Sequence, residues 1–187
     1  MVTRYLQTHP GSVPFRAVAL SAPMIAMNTS PLPESLAFVV VNLMNLFGRS
    51  KDYTFGKTDH DCNRPFETNP VTQSKARYWM DQTICKSDSA TVTSGPSNGW
   101  VETAISVTQK IREDRVEIKT PILMLQAGMD EFVVNDELSR FCFEHSNCTS
   151  QKFSGSKHEI LMEQDPIRNL AMQKIEEFFN SHTERRR

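Results

Sequence analysis

The sequence lacks a long hydrophobic run and any large concentration of charge of one sign. Among its 187 residues, 21 lysines and arginines stand against 22 aspartates and glutamates, a formal net charge of −1. Nucleic-acid binding is therefore not expected, because it needs a basic surface that neutralises phosphates. The most apolar stretch, residues 36–47, is shorter than the roughly 20 residues that a helix needs to cross a bilayer. The only dense charge is Arg185–Arg187, which we expect to be a solvated tail.

The sequence also lacks closely paired cysteines and a secretory leader. Met1 is followed by a polar segment rather than a basic start and an apolar run, so no signal peptide is predicted. The cysteines form no C-x-x-C pair and no dense disulfide pattern, which predicts free thiols in a reducing, cytoplasmic compartment. These cysteines are Cys62, Cys85, Cys142 and Cys148.

No metal site or cofactor is predicted from the remaining ligand-type residues. Cys142, His145 and Cys148 have metal-binding chemistry at short spacing, but no second cluster completes a four-ligand site. His60 and Cys62 form too weak a pattern to serve as that second cluster.

The order of predicted elements indicates an α/β protein with an inserted helical segment. Residues 1–30 read as the end of a helix followed by a short buried strand, and residues 31–119 as mostly helical with loops. From residue 120 to 187, strands and helices alternate again, which predicts a parallel sheet with flanking helices. We therefore predict two core segments, 1–30 and 120–187, separated by a helical cap at 31–119.

Two predicted strands are followed by loops with catalytic chemistry. The first loop carries Asp130 and the second carries His158, each just beyond the carboxyl end of a strand, where α/β sheets place their active groups. A histidine can accept a proton from a serine hydroxyl, and a carboxylate can hold the imidazole in the required tautomer. Either residue alone is readily explained as a helix cap or a surface residue, but the pair in this order favours catalysis. Glu131 and Asp136 are rival carboxylates.

These loops, LMLQAGMDEFV and KHEILMEQD, carry a family resemblance. The sequence resembles the lysophospholipase and monoacylglycerol-lipase branch of the α/β-hydrolases, especially the bacterial lysophospholipases. The resemblance implies that Asp130 and His158 belong to a catalytic triad. It also identifies residues 3–10 as similar to the helix after the nucleophile and GPSNGW as similar to part of the helical cap. The chain is thus expected to be the carboxyl-terminal part of an α/β-hydrolase fold, without the serine of the nucleophile elbow.

Ser97 lies in a G-x-S-x-G pattern that is typical of nucleophile elbows, but we do not expect it to be the nucleophile. Residues 86–93, which precede the pattern, are too polar and too short for a central strand. Pro96 also restricts the backbone directly before the serine. The segment is therefore predicted to be a turn that caps the following helix.

The resemblance implies an esterase that releases fatty acid from a lysophospholipid or a monoacylglycerol, although this chain alone should be inactive. One face of the predicted helix is assigned to the core of the cap; its residues are Leu36, Val39, Val40, Leu43, Met44 and Phe47. The alternatives are an acyl-binding wall or a peripheral contact with the inner face of the inner membrane, and Val40, Met44 and Trp79 are the candidate substrate contacts. A second hypothesis is a non-catalytic protein that binds acyl lipids or a partner through an exposed apolar face.

Overall fold

A computed structural model describes residues 2–11 and 13–183, so the predicted tail Arg185–Arg187 lies outside the described residues. Three parallel strands form one sheet in the order β1-β2-β3, with Val18 opposite Ile122 and Ile122 opposite Cys148. The strands are β1 (Val18–Ser21), β2 (Ile122–Ala127) and β3 (Cys148–Phe153); the helices are α1 (Val2–Thr8), α2 (Glu34–Leu46), α3 (Lys75–Ser87), α4 (Asn98–Glu113), α5 (Asn135–Glu144) and α6 (Asp165–Thr183).

The central strand β2 is buried along its whole length because helices cover both faces of the sheet. Ile122 and Met124 pack on one face in a cluster that includes residues of α1, α4 and α5. Leu123 and Leu125 pack on the other face against α6. A continuous apolar run is what a parallel strand buried on both sides requires. The predicted α/β class, with a parallel sheet and flanking helices, is confirmed.

Helices α2 and α4 pack together through small and branched side chains. Ala37 and Val41 of α2 are buried against Val101 and Ile105 of α4. Helix α2 is followed by Gly48, which has a φ of +77° that a residue with a side chain rarely adopts. The division of the chain into core and cap segments stays a prediction.

The larger apolar side chains of α2 and of Phe47, which follows it, face outward, so their assignment to the core of the cap is wrong. Of the six assigned residues, Met44 is half-buried and the others are exposed, namely Leu36, Val39, Val40, Leu43 and Phe47. Leu46 is also exposed, at 81%. Because α2 is apolar on most of its surface, periodicity alone does not identify the face that packs. The small side chain of Ala37 allows α4 to approach closely. The face of α2 that carries Ala37 is therefore the one that packs against α4. Within the described part of the chain, no helix is both long enough and apolar enough to span a membrane.

The prediction of four free thiols is also wrong. The structure pairs Cys62 with Cys85, and Cys142 with Cys148. The first bond joins the loop before Arg64 to helix α3, and the second joins α5 to the start of β3. The inference from free thiols to a reducing compartment therefore no longer applies, because disulfides persist mainly in oxidising environments.

Candidate active site

Two loops at the carboxyl ends of β2 and β3 are joined by backbone hydrogen bonds. The N–H of Gly128 donates to the carbonyl of Phe153 at 2.8 Å, and the N–H of Met129 donates to the carbonyl of Ser156 at 2.8 Å. Adjacent parallel strands end at the same edge of a sheet, so the chain leaves both strands at one place. The loops that carry Asp130 and His158 are thereby held together.

Gly128 is required at this junction by the closeness of the two loops. A Cβ atom at residue 128 would lie 2.5 Å from the Cα of Ser154 and 2.6 Å from the Ser154 carbonyl oxygen. Those atoms belong to the backbone and cannot rotate away as a flexible side chain would. A larger residue would therefore force the two loops apart.

The carboxylate of Asp130 is held on both of its oxygens. Its Oδ1 accepts hydrogen bonds from the N–H groups of Phe132 at 2.8 Å and Val133 at 3.2 Å. Its side chain has 0% exposure. A buried carboxylate with two backbone donors keeps one orientation, which leaves Oδ2 directed to a separate partner.

That partner is His158. Its Nδ1 lies 2.7 Å from Oδ2 of Asp130, and its side chain is 26% exposed. Since the carboxylate only accepts, Nδ1 carries the proton and Nε2 is the free acceptor of the neutral ring. The ring of Phe132 packs edge-on against the imidazole, with centroids 4.9 Å apart. The structure thus brings together the two residues singled out from the sequence, whereas the rival carboxylates Glu131 and Asp136 are exposed.

Burial and pairing act in opposite directions on the pKa of each partner. Burial alone would lower the pKa of His158, but the hydrogen bond and charge of Asp130, with the charge of Glu159, raise this pKa above its ordinary value. Burial alone would raise the pKa of Asp130, but His158 and the two backbone donors lower it below its ordinary value. Asp130 is therefore ionised at neutral pH and favours the protonated form of His158.

A second, fully buried carboxylate supports the His158 loop. Glu163 has 0% exposure, and its Oε1 accepts from the N–H groups of Lys157 at 2.9 Å and Gln73 at 3.0 Å. Its Oε2 accepts from the N–H of Gln164 at 3.3 Å. Glu163 therefore ties the residue before His158 to the segment that leads into α3. Sequence reasoning missed this role, because a glutamate just before a helix is usually exposed.

Ser97 is the N-cap residue of α4, as predicted from the turn before it. Its hydroxyl accepts from the N–H of Trp100 at 3.2 Å, which satisfies one of the free donors at the start of the helix. The glycine before it also has a packing role, because a Cβ at Gly95 would lie 2.9 Å from the Thr58 carbonyl oxygen. These contacts give Ser97 and Gly95 of the G-x-S-x-G pattern structural roles that do not require catalysis.

A cavity of about 920 Å³ lies next to the His158 loop. We call it the cap cavity; residues of 56–61, 69–72 and α3 line it, together with Phe132 and Glu159. None of the three predicted substrate contacts lines the cavity; they are Val40, Met44 and Trp79. Trp79 packs its ring against Tyr78, which does line the cavity, with centroids 5.4 Å apart.

One group of possible metal ligands occurs among the described residues. The ligand atoms of His60, Cys62 and Cys85 lie within 4.8 Å of one another. The two sulfurs are bonded to each other, however, and the ligand that binds metals is the free thiolate. The oxidised form described here does not fit a metal.

Comparisons with known proteins bear on this geometry. A family profile described as serine aminopeptidase, S33 matches residues 1–165. Lysophospholipase L2 of Escherichia coli (strain K12) is 31% identical over 189 residues, covering 96% of this chain and 54% of that protein. A probable lysophospholipase L2 of Haemophilus influenzae is 29% identical over 143 residues, covering 76% of this chain and 45% of the relative. The chain therefore spans about half the length of the bacterial relatives it matches.

Solved structures share the fold at low sequence identity. A soluble variant of monoglyceride lipase from Saccharomyces cerevisiae superposes with a TM-score of 0.70 and 15% identity, covering 98% of this chain and 59% of that chain. A monoacylglycerol lipase from Paleococcus ferrophilus superposes with a TM-score of 0.69 and 19% identity, covering 97% and 64%. At these identities the likeness concerns the fold.

Proposed function

Because the chain belongs to the serine aminopeptidase S33 family of α/β-hydrolases, we propose that it is the carboxyl-terminal part of a serine esterase. Its substrates are lysophospholipids or monoacylglycerols, Asp130 is the acid of the triad and His158 is the base. The observation that carries this proposal is the 2.7 Å contact between His158 Nδ1 and Asp130 Oδ2 at the ends of adjacent parallel strands. The similarity to a lysophospholipase and to a monoglyceride lipase supports the substrate class.

In the proposed reaction, a serine hydroxyl attacks the ester carbonyl while Nε2 of His158 accepts its proton. Asp130 stabilises the resulting imidazolium through Nδ1. The imidazolium then gives the proton to the leaving alcohol, which leaves an acyl-serine. Water attacks that ester with His158 again as base, releasing the fatty acid and restoring the hydroxyl.

The proposed nucleophile lies before α1, in a part of the protein outside this chain. Fluorophosphonate labelling of the native gene product, followed by mass-spectrometric location of the adduct, tests this. We expect an adduct on a peptide that precedes Thr3, and we expect labelling to survive Ser97→Ala. That substitution removes an N-cap and should reduce the free energy of unfolding by about 1 kcal/mol.

Ser74→Ala is the matched control, since Ser74 is the N-cap residue of α3 and accepts from the N–H of Arg77. Loss of labelling in Ser97→Ala alone would contradict the proposal and assign the nucleophile to Ser97. No labelling of the native protein, together with retained binding of acyl lipid, would favour the non-catalytic alternative.

The pH dependence of activity follows from the raised pKa of His158. Only neutral His158 can accept the serine proton, so kcat/KM should rise with pH through a midpoint above histidine's ordinary pKa of 6.5. Glu159→Gln removes a smaller, purely coulombic contribution and should shift the midpoint slightly downward. A midpoint below 6.5 in the native protein would contradict the described pairing.

The exposed face of α2 supports a proposed peripheral contact with a membrane. Val39, Leu43, Leu46 and Phe47 are all at least half exposed, and apolar side chains grouped on one helix favour a lipid surface. Replacing Leu46 and Phe47 by serine should reduce co-sedimentation with phospholipid vesicles severalfold. Phe143→Ser is the control, because Phe143 is 91% exposed on α5. Equal loss in both variants would contradict a specific role for α2.

A further inference from the structure

The disulfide between Cys62 and Cys85 has a histidine beside it. The ligand atoms of His60 and both sulfurs lie within 4.8 Å of one another. Cys85 is buried on α3, Cys62 is half-buried in the preceding loop, and His60 is exposed in that same loop. The fold therefore brings two sulfurs and an imidazole, which are the donors that zinc prefers, to one place.

The ring of His60 has no competing partner in the described part of the chain. Its backbone N–H forms a hydrogen bond, but neither ring nitrogen does. The second disulfide differs, although His145 lies between Cys142 and Cys148. The Nδ1 of His145 is 2.8 Å from the carbonyl of Phe141, and its ring stacks on the ring of Phe141. Among the described residues, the group of ligand atoms forms only at the first disulfide.

A tetrahedral zinc ion fits the first group once its disulfide is reduced. A disulfide holds its sulfurs about 2 Å apart, whereas two thiolates on one zinc, each with a bond of about 2.3 Å, lie about 3.8 Å apart. The two side chains therefore need to separate by only about 2 Å. An imidazole nitrogen on the same zinc lies about 3.6 Å from each sulfur. The exposed side chain of His60 can reach that position by a small rotation.

We propose that reduction of the Cys62–Cys85 bond creates a zinc site whose ligands are the two thiolates and the imidazole of His60. A dithiol supplies two electrons and two protons, which break the S–S bond and leave two thiols, while the dithiol becomes a disulfide. Zn²⁺ then displaces both thiol protons, and the two thiolates neutralise its charge. Water takes the fourth position, because no carboxylate oxygen of the described residues joins the group. The zinc crosslinks the loop to α3 under reducing conditions, as the disulfide does under oxidising ones.

The test titrates the native gene product with Co²⁺, a spectroscopic substitute for Zn²⁺, after reduction by a phosphine that brings no competing thiol. We expect an equimolar amount of Co²⁺ to produce a sulfur-to-cobalt charge-transfer band in the near ultraviolet and the intense visible bands of tetrahedral cobalt. Zn²⁺ should displace the cobalt and remove these bands. The oxidised protein should show none of them, because its sulfurs are bonded to each other.

Substitutions locate the ligands. Cys85→Ser should remove most of the charge-transfer band, whereas Cys142→Ser, the matched control from the other disulfide, should leave it unchanged. His60→Ala should weaken Zn²⁺ binding, measured by competition with a chelator, by more than about 10-fold, since loss of even an outer-shell partner costs about 10–100-fold in metal affinity. His145→Ala is its matched control and should leave the affinity unchanged.

Absence of the charge-transfer band from the reduced native protein would overturn the inference, and that result does not depend on whether any variant folds. A site whose spectrum and affinity His60→Ala leaves unchanged would also overturn it, because the imidazole would not be a ligand. Equal loss of the band in Cys85→Ser and Cys142→Ser would overturn it as well, because the metal would then not be confined to one cysteine pair. None of these measurements involves ester hydrolysis, so they stand apart from the proposed function.

Discussion

Replacing Asp130 by asparagine is expected to lower kcat/KM for ester hydrolysis by about 10⁴-fold, as loss of the acid does in other serine hydrolases. The hydrogen bonds of the carboxylate explain why an isosteric change has so large an effect. Oδ1 accepts from the N–H groups of Phe132 and Val133, so the asparagine oxygen will occupy that place. Its NH₂ group then faces Nδ1 of His158. A donor there makes Nδ1 the acceptor and puts the ring proton on Nε2, where the proton of the serine must go.

Steady-state hydrolysis by the native gene product carrying the substitution checks this expectation. Glu131→Gln is the matched control, because Glu131 is the adjacent, exposed carboxylate and should leave the rate within a factor of about two. Thermal unfolding of both variants separates a change of tautomer from a loss of fold. A variant with asparagine at 130 that keeps a tenth or more of the activity would contradict the proposed role of Asp130.

Replacing Glu163 by leucine should reduce the free energy of unfolding by about 3 kcal/mol and also lower activity. The leucine has a similar volume but leaves the N–H groups of Lys157, Gln73 and Gln164 without their acceptor. Each buried donor that loses its partner costs about 1–3 kcal/mol, reduced where water can enter. Because Lys157 directly precedes His158, the imidazole should also lose its fixed position over Asp130.

Glu163→Gln is the informative companion, since its one carboxamide oxygen can still accept from both Lys157 and Gln73. Its NH₂ group replaces Oε2 and meets the N–H groups of Gln164 and Gln73, so we expect a loss of stability and activity that is smaller than in Glu163→Leu. Denaturant unfolding gives the free energies, and Glu177→Leu on the exposed surface of α6 is the control for loss of a charge. If Glu163→Leu and Glu177→Leu unfold at the same denaturant concentration, the buried hydrogen bonds do not support the loop.

Chain order was sufficient to predict the Asp130–His158 pair. Each residue follows a run that reads as a buried strand, and parallel neighbours must end at the same edge, so their loops had to meet. The choice of Asp130 over Glu131 and Asp136 rested on the resemblance, and the structure adds the physical reason, which is that the turn after β2 directs this carboxylate inward. That turn is fixed by the backbone donors of Phe132 and Val133, which no sequence pattern specifies.

Contacts between distant segments could not be predicted in the same way. Cys62 and Cys85 are 23 residues apart with no motif linking them, and their pairing depends on how the loop before Arg64 folds onto α3. The buried position of Glu163 likewise depends on Gln73, 90 residues earlier. For α2, local pattern was misleading because most of its surface is apolar, and the small Ala37 rather than the larger side chains determined the packed face.

The Cys62–Cys85 bond closes a covalent ring that contains eight of the residues that line the cap cavity, among them Tyr78 and Gln82. Lys75, which lies inside the ring, is exposed and is followed by Ala76, so a trypsin-like protease can cut the chain there. A single cut inside the ring does not release a fragment, because both new ends remain attached through the sulfurs. A nicked molecule would therefore keep Gln82 tethered beside the cavity and run as an intact chain until a reductant is added. The integrity of this wall after a cut thus depends on the crosslink rather than on the loop sequence.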